Sequence, residues 1–139
     1  MVVLVCINTM IFVLLSMLHF YWASGGKWAL SQALPETPVG EKSMSPGILA
    51  TLVVAFGLLL FAALTLGNLG LYDAWLNRKY INYSMLVIGI IFTLRATGDF
   101  NYVGLTKKIR NTKFAEYDNR IYIPLCLVLA SVSLILFFL

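Results

Sequence analysis

The sequence predicts an all-α membrane protein, a bundle of four transmembrane helices forming one domain over residues 1–139. Three observations carry that prediction. The chain is 60% apolar and only 12% charged, against about 25% charged in soluble domains. Its charges are segregated: residues 1–21, 47–72 and 121–139 contain no Lys, Arg, Asp or Glu, and each run exceeds or approaches the about 20 helical residues that cross a hydrocarbon core of about 30 Å. Residues 81–94 form a fourth uncharged run, which spans if it continues through Arg95 to Asp99. A backbone with no water beside it must satisfy its own hydrogen bonds, so the runs are read as helices, over about 2–22, 47–71, 80–99 and 120–139.

The first run has no basic start and is longer than the apolar segment of a signal peptide, so it is read as a span. At about 100° per residue, Asn8, Phe12, Ser16 and His19 share one sector. A polar stripe abandoned in hydrocarbon is costly, which turns this face into the bundle. Residues 23–46, rich in Gly, Pro and Ser, read as a loop with one helical turn near Trp28–Leu34. Ser45 is the expected N-cap of the second span, with Pro46 at its first position. The connection near residues 73–80 is short, which favours antiparallel neighbours. On the third span Gly89, Thr93 and Thr97 repeat at i, i+4, i+8, a seam of small residues for close helix packing. Ser84, Ile88, Arg95 and Asp99 lie on roughly the opposite side, so this helix meets protein on two faces, or turns one toward lipid or a second subunit. Asn8, Asn68 and Asn82 are read as hydrogen-bond partners between helices, and Asp118 as the N-cap of the fourth span.

The basic loop, about residues 100–119, holds Lys107, Lys108, Arg110 and Lys113 with aromatics between. With Lys27, Lys42 and Arg120 they outnumber Arg78 and Lys79 at the other end. The positive-inside rule then puts both termini outside and the two larger loops in the cytoplasm. A sequence pI near 9.2 could suggest nucleic acid, but cations beside a membrane are more simply anchors for anionic lipid headgroups. The expected partner is the bilayer, with no nucleic acid.

Arg95 is the unusual residue. It stands about 22 Å along its helix from Tyr80, close to the cytoplasmic boundary. Asp99, one turn on, is placed to pair with it. Two readings stay open: a snorkelling structural anchor, or a functional polar site. Alternating helix directions bring His19, Tyr21 and Trp22 level with Arg95, Asp99 and Tyr102, beneath the loop carrying Trp28. His19, Trp22, Trp28, Arg95, Asp99 and Tyr102 are therefore the candidate ligand-binding residues.

Other chemistry finds little support. Cys6 and Cys126 make no paired spacing and read as small buried hydrophobes. One histidine gives neither a bis-histidine haem nor a zinc cage. The remaining acids lack metal-ligand spacing, so no metal and no cofactor is expected. "SGGKW" (24–28) departs from a phosphate-binding loop, and the lack of inverted halves speaks against a transporter.

"HFYWASGGKWALSQALP" (19–35) and "RATGDFNYVGLTKKIRNTKFAEYDNRIYIPLC" (95–126) resemble the small bacterial integral membrane proteins grouped as domain of unknown function 3995. The resemblance implies a four-span protein of the bacterial cytoplasmic (inner) membrane with no activity attached. It marks His19, Trp22, Gly26, Trp28, Arg95, Gly98, Asp99 and Tyr102 as one unit, and it transfers no catalytic residue.

The function expected first is binding of an amphipathic ligand, a lipid or quinone type, at the cytoplasmic edge, or service as an assembly subunit there. Arg95 would hold an anionic or carbonyl head, with Trp22 and Trp28 over the tail. A membrane enzyme using His19 or Asp99 as general base, or a small-solute or proton pathway through Ser16 and Asn8, are the alternatives. Binding requires only the residues present and is favoured over catalysis.

Overall fold

The computed structural model describes residues 1–42 and 45–139. Its helices are α1 (Val2–Ala23), α2 (Leu30–Ala33), α3 (Ile48–Leu66), α4 (Arg78–Thr97), α5 (Lys113–Tyr117) and α6 (Ile123–Phe138). A 3-10 turn, Gly67–Leu69, extends α3, and a wide π turn, Asp118–Tyr122, joins α5 to α6. Four helices are long and apolar enough to cross a membrane: Val2–Ala23, Ile48–Leu69, Arg78–Thr97 and Lys113–Phe138. The molecule is thus an all-α four-helix bundle of multi-pass membrane type.

Its packing is that of two helical hairpins. α1 lies along α3 and α4 along α6, while α3 and α4, although joined by the shortest link, touch far less. The core between them is apolar: Val5, Phe12, Leu58, Met85, Ile88 and Leu129 are buried. Phe12 meets Phe61 and Phe92 with ring centroids 5.8 and 5.5 Å apart, tying α1, α3 and α4 together by edge and tilted ring contacts. Large apolar side chains such as Met10, Leu49, Val53, Phe56 and Leu94 point outward, the inside-out pattern of helices that face lipid.

The stripe on α1 does face inward. Asn8, Phe12 and Ser16 are buried; the Asn8 amide donates to Ser133 Oγ at 3.2 Å and the Ser16 hydroxyl donates to the Ala55 carbonyl at 2.7 Å. Phe12 fills the space between these two polar groups. Asn68 bonds differently from the expectation: its amide donates to the Thr65 carbonyl of its own helical segment, and its own carbonyl accepts from Arg78. Asn82 is half-buried.

Several boundaries differ from the sequence reading. Gly47, not Ser45, occupies the N-cap of α3, and Pro46 stays outside the helix. The fourth long helix starts at Lys113 rather than near residue 120, because Thr112 caps it: the Thr112 hydroxyl accepts from the Ala115 amide. Asp118 is therefore inside the helical run and does not cap it. The wide turn there precedes Pro124, which has no N–H to give the carbonyl four residues back and whose ring crowds it. A π turn is a common accommodation of such a break.

The seam on α4 is only partly used. A side chain at Gly89 would meet Leu134 of α6 within 2.7 Å, so this position is a close helix contact. Thr93 and Thr97 are exposed and donate to the carbonyls of Gly89 and Thr93 on their own helix. Their hydroxyls are satisfied locally, and no partner is needed to hold them in an apolar setting. Cys126 is buried, but Cys6 faces outward, and both thiols are free.

Candidate functional site

The end of the bundle where α1 and α4 finish carries residues 24–42 and 98–122, which meet through α2 and α5. α2 lies against α5, and the Tyr122 hydroxyl donates to the Gln32 carbonyl at 3.2 Å. The single turn expected near Trp28–Leu34 is α2.

Residues 98–110, most of which fall in the basic loop expected over about 100–119, form a closed knot. Gly98 (φ +94°) and Gly104 (φ +83°) touch backbone to backbone. A Cβ on Gly98 would run into the Val103 carbonyl and one on Gly104 into Gly98 itself, so only glycine fits either place. Leu105 N–H donates to the Ala96 carbonyl at 2.9 Å, and Lys108 N–H and Ile109 N–H both donate to the Asn101 carbonyl at 3.0 Å.

Asp99 serves this knot. Its Oδ1 accepts from the backbone N–H groups of Asn101, Tyr102 and Val103 at 3.0, 2.7 and 2.9 Å. Partial burial raises the Asp99 pKa, but the N–H groups of Val103, Asn101 and Tyr102 outweigh it and hold the carboxyl below its ordinary 3.8. Donors fixed on the ionised form favour that form. The pairing of Asp99 with Arg95 is thereby corrected: the end of α4 at Thr97 sends Asp99 into the knot and away from the i+4 position that a continued helix would give it.

Arg95 meets Asp118 instead. Its Nη1 and Nη2 lie 3.5 and 3.4 Å from Asp118 Oδ1. The other oxygen, Oδ2, accepts from Lys107 Nζ at 2.8 Å and from the Gly104 N–H at 2.8 Å. Lys107 Nζ also donates to the Gly104 carbonyl at 3.2 Å and to Asn119 Oδ1 at 2.6 Å. Asp118 is wholly buried and Lys107 nearly so, at 0% and 1% side-chain exposure, whereas Arg95 keeps 36%. Burying a carboxylate is tolerable only with such compensation. The reading of all the loop cations as headgroup anchors is corrected at Lys107, which is a core residue of the knot; Lys108, Arg110, Lys113 and Arg120 are exposed.

Beside this cluster lies a cavity of about 360 Å³, whose walls include His19, Trp22, Leu30, Leu34, Val54, Arg95 and Phe114. His19 and Arg95, on different hairpins, therefore line one hollow. The His19 Nδ1 lies 2.7 Å from the Leu15 carbonyl. A carbonyl only accepts, so the proton is on Nδ1 and the neutral ring presents Nε2 as an acceptor. The His19 ring stands edge-on to Trp22, centroids 5.0 Å apart. Trp22 also walls a second cavity of about 410 Å³ with Trp28, Gln32, Tyr117 and Tyr122, and its indole donates to the Trp28 carbonyl at 2.8 Å. Of the six candidate residues, His19, Trp22 and Arg95 share one cavity and Trp28 lines its neighbour. Asp99 and Tyr102 line neither and belong to the knot. Gly26 lies under the Tyr21 ring.

Sequence reasoning missed Lys107, Asp118 and Asn119. The available signal was the depth of Asp118: counted back along the last span from the shared boundary, it falls level with Arg95 on an antiparallel neighbour. Among the described residues no three His, Cys, Asp or Glu side chains come together as a metal site.

An all-α bundle with four spanning-length helices and a charged pocket at one end defines the class, a small polytopic membrane protein. Within it the chain belongs to the family described as "Protein of unknown function (DUF3995)", whose model matches residues 12–133. No curated protein and no solved structure matches the chain.

Proposed function

We propose that this protein binds an amphipathic molecule of lipid or quinone type in the cavity between His19 and Arg95, at the cytoplasmic edge of a bacterial inner membrane, with both termini outside. The observation that carries this reading is one cavity holding both a guanidinium with unspent donors and a mostly apolar wall. Arg95 makes only two long contacts to a single oxygen of Asp118, so it retains N–H groups for a ligand head. Leu30, Leu34, Val54 and Trp22 supply the surface that an acyl or isoprenoid portion covers. The cations exposed at this end support its cytoplasmic side.

Solvent extracts of the protein purified in mild detergent, compared by mass spectrometry with extracts of the source membrane, test the reading. An amphiphile enriched over its membrane abundance, and absent from Ala33→Trp protein, in which a larger side chain at Ala33, a further wall residue, fills the cavity, is the expected result. Equal lipid profiles for both proteins would remove the proposal.

One observation favours a catalytic use of the same cavity. The Leu15 carbonyl fixes His19 as the Nδ1–H tautomer, which is how a general base is oriented. Under that reading His19→Ala abolishes turnover and leaves ligand retention intact; under simple binding it changes retention only.

A further inference from the structure

We infer that the head of the ligand is an oxyanion, a phosphate or carboxylate, and that it completes a charge-deficient cluster at Arg95. This rests on the binding reading above and narrows it, since a neutral quinone head would satisfy that reading equally.

The charges of the cluster do not balance. Asp118 is the one carboxylate paired with Arg95 and Lys107; the remaining ion pairs among the described residues, Arg78 with Asp73 and Arg120 with Glu116, lie elsewhere. Two cations and one anion leave a net charge of +1. Asp99, the nearest alternative in sequence, is committed to three backbone N–H groups. A surplus charge within a partly desolvated cluster is unfavourable unless a counter-charge joins it.

The hydrogen bonds say where that surplus resides. Lys107 has three protons and three acceptors: Gly104 O, Asp118 Oδ2 and Asn119 Oδ1. It has nothing left to offer. The short bonds to Asp118 come from Lys107 and from the Gly104 N–H, while Arg95 sits at 3.4–3.5 Å, outside the about 2.7–2.9 Å of a strong guanidinium–carboxylate bond. The uncompensated positive charge is thus on the guanidinium that lines the cavity. A guanidinium offers paired N–H groups suited to the two oxygens of a carboxylate or phosphate. His19, which lines the same cavity, adds a second group that binds an oxyanion when protonated and accepts from a protonated oxygen when neutral.

Native mass spectrometry of the full chain in detergent distinguishes the cases, with four probes: dioleoylphosphatidylglycerol, dioleoylglycerol (the same acyl chains with no oxyanion), decylubiquinone and inorganic phosphate. The expected result is retention of the phosphatidylglycerol at about tenfold lower concentration than the dioleoylglycerol, the return of one charge-assisted hydrogen bond. That preference disappears in Arg95→Gln, persists in Arg95→Lys, and persists in Lys108→Gln, which removes an exposed cation of the same loop. Arg95→Gln leaves Asp118 and Lys107 as a balanced pair, and its melting temperature checks that it folds; if it does not fold, loss of the preference in Ala33→Trp carries the same test. Phosphate that binds and displaces the phosphatidylglycerol supports the oxyanion and identifies a free anion as its source. Retention of decylubiquinone, sensitive to Ala33→Trp and without any preference between the two glycerolipids, overturns the oxyanion and leaves the amphipathic cavity standing. No probe sensitive to Ala33→Trp overturns both.

Discussion

The guanidinium of Arg95 lies 3.4 Å from the Asp118 carboxylate, across the α4–α6 hairpin, and not against Asp99 one turn farther along its own chain. The two carboxylates divide the work at this end of the molecule. Asp118 holds charge, and Asp99 holds backbone.

Asp118→Asn is expected to be the most damaging of the conservative changes. It strands Lys107, which is 1% exposed, with no counter-charge, and removing one partner of a buried pair costs about 3–5 kcal/mol. Thermal unfolding in detergent should show a large fall in the midpoint. Asp99→Asn retains an Oδ1 acceptor for the same N–H groups and should fall by much less.

Asp99 carries a pH signature. Its folded pKa is lower than the ordinary 3.8, so its contribution is complete above that value and is lost as pH falls through the lower folded value. The stability difference between the natural protein and Asp99→Ala, measured by denaturation at a series of pH values, should be constant from neutrality down to about pH 5 and should shrink below 3.8. A difference that changes between pH 6 and 8 would assign the effect to another group.

Glycine substitutions should separate by place. Gly104→Ala and Gly98→Ala put a methyl group into backbone and should abolish folded protein, seen as aggregation during size exclusion in detergent. Gly57→Ala, in the middle of α3 with nothing within 4 Å of the new methyl, should be neutral or stabilising by up to about 1 kcal/mol from helix propensity.

Gly89→Ala should destabilise by pressing on Leu134, whose Cγ and Cδ2 lie 2.7 Å from the new Cβ position. Leu134→Ala in the same chain should restore part of the loss. A double-mutant cycle that returns no coupling would place the α4–α6 contact elsewhere.

Much of this molecule is legible in its sequence because a bilayer leaves few choices. The four spans follow from run length and the absence of charge, and the inward stripe Asn8, Phe12, Ser16 follows from helical angle alone. Local rules failed where a local alternative was nearer than the tertiary one. Asp99 stands four residues from Arg95, and a continued helix would pair them; the turn at Gly98 ends the helix first. Lys107 is one of several cations in a short stretch, and composition cannot distinguish the buried one from its exposed neighbours. The convergence of His19 and Arg95 on one cavity was visible as an equality of depth, whereas the knot that walls off Asp99 and Tyr102 depends on a meeting of Gly98 with Gly104 that no periodicity announces.

The hairpin arrangement has a consequence for biosynthesis. Chains enter the membrane from the N-terminus, and α1 with α3 makes a pair whose spans contain no Lys, Arg, Asp or Glu. Arg95 then arrives with its helix, while the carboxylate it contacts is twenty-three residues behind. The Arg95–Asp118 contact can therefore form only after the segment that opens the fourth long helix has been made.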